Sequence, residues 1–180
     1  MPIEIEKKYR LTSEQRRAVE KSLRALGVKP RPIEFEENTI YRGGNLQPGS
    51  RALRLRRVNT HAILTFKRRF PTKSPIKHQE ENETAVADAD ATDAILKSLG
   101  FEPAVIYEKR RTRWDVGKAT VVIDELPFGL FMEIEAAEKE ILRVEKKIGA
   151  KEFEAVPETY PTLTAKLGKK RKGIIEARFE

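Results

Sequence analysis

Apolar and polar residues alternate in short segments throughout this chain, which is the pattern of strands rather than of long helices. In the first segment, Ile3 and Ile5 alternate with Glu4, Glu6 and Lys8. Successive side chains of a strand point to opposite faces, so this segment predicts one apolar and one charged face. Similar segments predict seven further strands, at about 33–41, 51–58, 62–67, 78–86, 104–115, 119–125 and 130–136.

Helical spacing is confined to segments between these strands. Thr12-Ser13-Glu14-Gln15 has the form of a capping box and predicts a helix that stops at Gly27. Asp88 or Asp90 is suited to cap a second helix that ends near Gly100. A third helix is expected at about 137–148, and a short helical segment around Tyr160. We also expect a hairpin link at 59–61 and a mobile loop at 68–77.

The order of these elements predicts an α+β fold. Links of hairpin length imply antiparallel pairing, and about eight strands are enough to close a barrel. We therefore expect an eight-stranded antiparallel β-barrel that forms a tunnel, with the helices packed outside. Residues 1–168 are predicted to form this single domain, and residues 169–180 a basic C-terminal tail that begins with Lys169-Lys170-Arg171-Lys172.

Composition narrows the classes of function. Charged residues make up 36% of the 180 residues, and the formal net charge of +8 favours anionic partners. The chain has no cysteine, which excludes disulfides, zinc–thiolate sites and cysteine nucleophiles. No apolar run approaches the length of a membrane span, and the N-terminus does not resemble a signal peptide. We expect a soluble cytoplasmic protein that has no membrane partner.

Like charges occur in alternating pairs on separate predicted strands. The acidic pairs are Glu4/Glu6, Glu81/Glu83 and Glu133/Glu135, and the basic segments are Arg54/Arg56, Thr65/Lys67 and Lys109/Arg111. Carboxylate oxygens suit Mg²⁺ or Mn²⁺, whereas Arg and Lys bind phosphate oxygens. A solvated sheet face is the alternative, but such faces usually mix both signs on one strand. The grouping favours a wet channel that binds a metal-loaded polyphosphate.

These motifs, in this order, resemble the CYTH family, also called triphosphate tunnel metalloenzymes. The resemblance spans roughly Ile3 to Tyr160 and starts with the Glu-x-Glu-x-Lys strand of Glu4, Glu6 and Lys8. It implies that phosphates are bound by Lys8, Arg54, Arg56, Lys67, Lys109 and Arg111. It implies that Mg²⁺ or Mn²⁺ is held by Glu4, Glu6, Asp124, Glu133 and Glu135. Glu81 and Glu83 could serve either purpose or orient the basic residues, and the roles of Arg42 and Lys166 stay open.

The leading hypothesis is a metal-dependent triphosphatase that acts on inorganic triphosphate or a small organic triphosphate. Glu4 or Glu6 is the candidate catalytic residue that positions the attacking water. An adenylate cyclase that converts ATP to cyclic AMP and pyrophosphate would use the same charges. A non-catalytic module that binds polyphosphate or RNA through the basic tail is a further alternative. The natural substrate and the oligomeric state stay open.

Overall fold

Eight strands form the body of the protein. The computed structural model describes residues 3–59 and 61–180, so Thr60 of the predicted hairpin link lies outside the described residues. The strands are β1 Ile3–Leu11, β2 Glu34–Arg42, β3 Arg51–Val58, β4 His61–Arg69, β5 Ile76–Val86, β6 Glu102–Val116, β7 Ala119–Leu126 and β8 Gly129–Glu135.

These strands close into an antiparallel barrel. Their spatial order is β2-β3-β4-β5-β1-β8-β7-β6, and β6 returns to pair with β2. Closure leaves no free edge among the eight strands, and it separates an inner from an outer face along each one. The predicted α+β fold with an eight-stranded antiparallel barrel is therefore confirmed.

Four helices accompany the barrel: α1 Ser13–Ala25, α2 Ala89–Ser98, α3 Glu138–Lys147 and α4 Tyr160–Leu167. The predicted capping box of α1 is present, because the Thr12 hydroxyl accepts from the Gln15 amide and the Gln15 side chain accepts from the Thr12 amide. At α2 the cap is Asp88, whose carboxylate accepts from the Asp90 and Ala91 amides. No helix in the described ranges is long and apolar enough to cross a membrane.

The apolar core lies mainly outside the barrel, between the strands and the first three helices. Val19 of α1 and Val144 of α3 join one buried cluster with Ile123 and Ile134, which point outward from β7 and β8. Leu96 of α2 belongs to a second cluster, over β3 and β4. Because this core lies under the helices, the inner faces of the strands are free to carry charge.

Helix α4 packs across one mouth of the barrel, whereas the first three helices pack against its outer wall. Its residues Tyr160 and Leu163 form a buried cluster with Ile40, Tyr107 and Phe131. These last three alternate with charged or polar inward residues on their own strands, so they also face inward. Helix α4 therefore closes part of one barrel mouth with apolar side chains.

Residues 169–180 contain two further strands, β9 Lys169–Arg171 and β10 Ile174–Ala177. These strands form a hairpin, and β10 pairs in parallel with β6 at Val105–Tyr107. The basic side chains of β9 are exposed, but the segment is attached to the barrel rather than a free tail. The boundary at residue 168 stays a prediction.

The prediction of a mobile loop over residues 68–77 is wrong at both ends, because those ends belong to strands. β4 continues to Arg69 and β5 begins at Ile76, so the link between them shrinks to residues 70–75. Prolines at 71 and 75 made the whole segment resemble a loop, although they lie only in the link itself.

Candidate functional site

The inner face of the barrel brings most of the predicted residues into one channel. β1 contributes Glu4, Glu6 and Lys8, and its neighbours add residues at matching register: Glu6 lies opposite Glu135, and Lys8 opposite Glu133, on β8. On the other side of the channel, β3, β4, β6 and β7 contribute Arg54, Arg56, Lys67, Lys109, Arg111 and Asp124. The convergence depends on closure, because β1 and β6 do not pair directly.

Three carboxylates form the clearest candidate metal site. Glu4, Glu6 and Glu135 each offer an oxygen, and these oxygens lie within 4.8 Å of one another. Gln79 donates to Glu4 at 2.6 Å, the Lys67 ammonium lies 2.8 Å from the same Glu4 oxygen, and the Lys77 ammonium lies 3.2 Å from Glu6. Oxygen donors of this kind suit Mg²⁺ or Mn²⁺, so the residues present fit the metal that the sequence predicts.

The pKa shifts of these three carboxyl groups follow from their burial and from the charges around them. Burial raises the pKa of Glu135 to about 7, and the neighbouring carboxylates Glu133, Glu4 and Glu6 oppose ionisation further. Burial also raises the pKa of Glu4. At Glu6 burial opposes ionisation as well, but the Lys77 ammonium helps to bring the pKa below its ordinary value. Arg111 acts in the opposite direction on the pKa of Glu135, and a divalent cation held by these carboxylates would favour their ionised forms further.

Asp124 lies apart from this triad, although it was predicted as a metal ligand. Its carboxylate accepts from Arg111 Nε at 2.8 Å and Nη2 at 2.6 Å, and from the Tyr160 hydroxyl at 2.9 Å. The Lys109 ammonium lies 3.4 Å away. Its contacts hold basic side chains in place, and its role as a metal ligand stays a prediction.

Glu133, also predicted as a metal ligand, bridges two cations. It accepts from Arg111 at 2.9 Å and lies 3.4 Å from the Lys8 ammonium. Burial lowers the pKa of Lys8 to about 8, although Glu133 acts in the opposite direction. Lys8 also donates to the Glu158 carbonyl and lies 3.8 Å from the centre of the Tyr160 ring.

Glu36 is a buried residue of this channel that the sequence did not identify. Its carboxylate lies 3.3 Å from Lys109, 3.2 Å from Arg56 and 3.7 Å from Arg111. Burial opposes its ionisation, but these cations together hold its pKa well below the usual range. Asn38 accepts from Arg56 at 3.1 Å, so the alternating pair Glu36-x-Asn38 was the available signal.

The four residues whose roles the sequence left open differ in whether they face the channel. Glu81 faces the channel, 3.0 Å from Lys67 and 3.6 Å from Arg54. Glu83 lies on the same face of β5 but is exposed, and it accepts from the Thr65 hydroxyl at 3.4 Å. Arg42 and Lys166 are exposed and pair with Glu102 and Glu158 at 2.7 and 3.2 Å. Neither basic residue points into the channel in this arrangement.

Sequence reasoning also missed Lys77, Gln79 and Tyr160. Lys77 and Gln79 are buried and lie opposite Glu6 and Glu4, in the strand that continues to Glu81. Continuing the inward–outward alternation of β5 from Glu81 towards the start of the strand would have identified both Lys77 and Gln79 as inward-facing. Tyr160 carries no such signal, because only the folding of α4 against the barrel brings it to Asp124.

Comparison with solved structures gives close matches to the whole fold. The PH1012 protein of Pyrococcus horikoshii OT3 has a TM-score of 0.78 and 25% identity, with 89% of this chain and 98% of that chain covered. HpAC1 from Hippeastrum, described as a putative adenylyl cyclase with a dominant triphosphatase activity, has a TM-score of 0.70 and 18% identity, with 96% and 99% covered. A putative adenylate cyclase from Vibrio parahaemolyticus has a TM-score of 0.69 and 16% identity, with 91% and 98% covered.

Sequence comparisons complement these structural matches. A search of curated proteins gives no match. The family comparison matches residues 2–160 to the CYTH domain. This range of the chain includes all eight barrel strands and the first residue of α4. The match covers most of the chain and every strand that lines the channel, and the chain therefore belongs to the CYTH domain family.

Proposed function

We propose that this protein is a metal-dependent triphosphatase that hydrolyses inorganic triphosphate or a small organic triphosphate. The observation that carries the proposal is the channel itself, where six predicted phosphate-binding cations face a triad of carboxylates, of which Glu6 is buried and Glu4 and Glu135 are half-buried. The triphosphatase activity described for the Hippeastrum protein is consistent with this proposal.

The basic residues are arranged to bind a chain of phosphates. Lys109 and Arg111 are buried, and Arg54 and Arg56 line the adjacent part of the wall. Glu36 and Asp124 hold Arg56, Lys109 and Arg111 at fixed positions before substrate arrives, and Glu81 lies 3.6 Å from Arg54. Such preorganised cations stabilise the charge that develops on transferring phosphoryl oxygens without further rearrangement.

The acidic triad would hold Mg²⁺ or Mn²⁺ through Glu4, Glu6 and Glu135. When bound, the metal would neutralise phosphate charge and make a water more acidic. Glu4 and Glu6 are the candidates to orient the attacking water, because they are the predicted catalytic pair and lie within the triad. Lys77 and Lys67 hold these two carboxylates in place.

Release of phosphate from inorganic triphosphate tests the proposal directly. We expect turnover with Mg²⁺ or Mn²⁺, loss of turnover in EDTA, and at least a hundredfold loss in kcat/KM in Glu4→Ala and Arg56→Ala. Arg57→Ala is the matched control for Arg56→Ala, because Arg57 is the next residue of β3 but points outward to Asp90. It should retain kcat/KM within about twofold.

Three outcomes would overturn the proposal. Unchanged rates in both Glu4→Ala and Arg56→Ala would place the activity outside the channel. Formation of cyclic AMP and pyrophosphate from ATP, without phosphate release from triphosphate, would identify the adenylate cyclase instead. Metal-independent binding of RNA without turnover would identify the binding module.

A further inference from the structure

The seam where β2 pairs with β6 closes the barrel, and two residues that follow β10 lie across its outer face. The first three helices pack on β1, β3, β4, β7 and β8. Strand β10 lies along one edge of β6, and Arg178 then contacts both β6 and β2. The ring of Phe179 lies 6.4 Å from that of Phe35 on β2. We call residues 178–179 the clasp.

Two carboxylates meet on the outer face of this seam. Glu37 of β2 lies directly opposite Glu108 of β6, and both point outward, because their neighbours Glu36 and Lys109 face the channel. Like charges directly opposite each other on paired strands are destabilising. The pairing that closes the barrel therefore carries a repulsion, and a cation placed between the two strands would remove it.

Arg178 supplies that cation. Its Nη1 atom lies 2.5 Å from Glu37 and 2.8 Å from Glu108, so one guanidinium donates to both strands. Within the described ranges 3–59 and 61–180, no other basic group lies within ion-pair distance of Glu108. Glu37 has a second cation, Arg57, but at 3.8 Å. The Phe179 amide also donates to Glu108, at 2.8 Å, so the clasp satisfies both oxygens of that carboxylate.

The inner face of the same seam separates two groups of predicted phosphate-binding cations. Arg54 and Arg56 lie on β3, which pairs with β2, whereas Lys109 and Arg111 lie on β6. Glu36 of β2 spans the seam, 3.2 Å from Arg56 and 3.3 Å from Lys109. The spacing of the two groups along the channel wall therefore depends on how closely β2 and β6 are paired.

We propose that Arg178 is a positioning residue, which holds the β2–β6 seam closed from outside and thereby fixes the distance between the two groups of cations that bind triphosphate. This role rests on the proposed function, because it concerns the same substrate. The metal triad lies on β1 and β8, which among the described strands pair with each other, β5 and β7 but not with β2 or β6. The clasp should therefore affect triphosphate binding and leave metal binding unchanged.

Hydrogen exchange and calorimetry of Arg178→Gln test this role. Backbone amides of residues 36–39 and 106–109 should exchange about tenfold faster than in the wild-type protein, whereas those of β1 and β8 should change by less than about twofold. The Kd for inorganic triphosphate in Ca²⁺ should rise about tenfold, while the Kd for Mn²⁺ alone should stay within about twofold. Arg178→Lys keeps the charge but not the guanidinium fork, so its values should lie between those of the two proteins.

Removal of the repulsion provides the most specific comparison. The double variant Arg178→Gln/Glu108→Gln has no like-charge pair at the seam, so exchange and triphosphate affinity should return to within about threefold of the wild-type values. If Arg178→Gln does not fold, the double variant should fold for the same reason. Arg171→Gln is the matched control, because this arginine is exposed on β9 of the same hairpin, and it should change neither quantity.

The inference would be overturned by unchanged exchange at the seam in Arg178→Gln, by equally faster exchange throughout the barrel, or by unchanged triphosphate affinity despite faster exchange at the seam. Absence of recovery in the double variant, or the same losses in Arg171→Gln, would also overturn it. Phosphate release is measured separately. If the wild-type protein neither binds nor hydrolyses triphosphate, the proposed function fails, and the exchange pattern decides whether Arg178 holds the seam closed. Wild-type turnover with unchanged seam exchange in Arg178→Gln refutes the role of the clasp alone.

Discussion

Glu135→Gln is expected to stabilise the metal-free protein, and to do so more at alkaline than at acidic pH. Burial raises the pKa of Glu135 to about 7 from an ordinary value of 4.5. The folded protein therefore binds this proton more tightly than the unfolded chain does. The resulting stability is fully present below the unfolded pKa and is lost as the pH rises towards 7.

The size of the effect follows from the shift. A difference of about 2.5 pKa units corresponds to about 3 kcal/mol above pH 7 but only about 1 kcal/mol near pH 5. Gln cannot ionise, so the variant escapes this penalty. For a chain of this size, the melting temperature should rise by roughly 6–12 °C at pH 8 and by roughly 2–4 °C at pH 5.

Differential scanning calorimetry in EDTA at both pH values provides the measurement. Glu152→Gln, which changes an exposed acid in the turn after α3, serves as the matched control and should shift neither melting temperature. Saturating Mn²⁺ should then stabilise the wild-type protein more than Glu135→Gln, because the variant lacks one of three ligands. An equal shift at both pH values, or destabilisation by Glu135→Gln at pH 8, would refute the reasoning.

Four other predictions follow from the channel. Arg111→Met should lower kcat/KM for triphosphate at least a hundredfold, whereas the outward-facing Arg110→Met should stay within about twofold; equal losses in phosphate-release assays would contradict this. Glu36→Gln should lower the free energy of unfolding by about 3–5 kcal/mol in urea titrations, because buried cations lose their shared partner; an unchanged midpoint would argue against that role. Mn²⁺ should bind about tenfold more weakly at pH 6 than at pH 8, because Glu135 must release its proton; calorimetry showing a flat profile would exclude this coupling. Leu163→Ala should cost about 2–5 kcal/mol in urea, as a cavity opens beneath α4, and a smaller loss would show that α4 packs loosely.

Much of the barrel could be predicted because strand periodicity is local. In β3, Leu55 is buried in the outer cluster while Arg54 and Arg56 point inward, as alternation requires. The motifs on β1, β6 and β8 were predicted in the same way. The outer faces of β1, β3, β4, β7 and β8 pack against helices, so on these strands sequence periodicity and burial agree.

The missed residues depend on register or on distant contacts. In Glu34-Phe35-Glu36-Glu37-Asn38, acids fall on both faces, and only pairing with β6 sets Glu36 opposite Lys109. Lys77 lies at the start of β5, next to a proline-containing link that obscures the boundary. Tyr160 enters the channel only through the packing of α4, which no local pattern specifies.

The pairing of β1 on both of its edges has a consequence for how the protein folds. This first strand is hydrogen-bonded to β5 on one edge and to β8 on the other, so Glu4 and Glu135 meet only after most of the polypeptide has been ordered. Such nonlocal pairing slows folding. A chain emerging from the ribosome would hold its N-terminal strand half-paired until residues 129–135 were synthesised, and metal affinity would arise late, together with closure of the sheet.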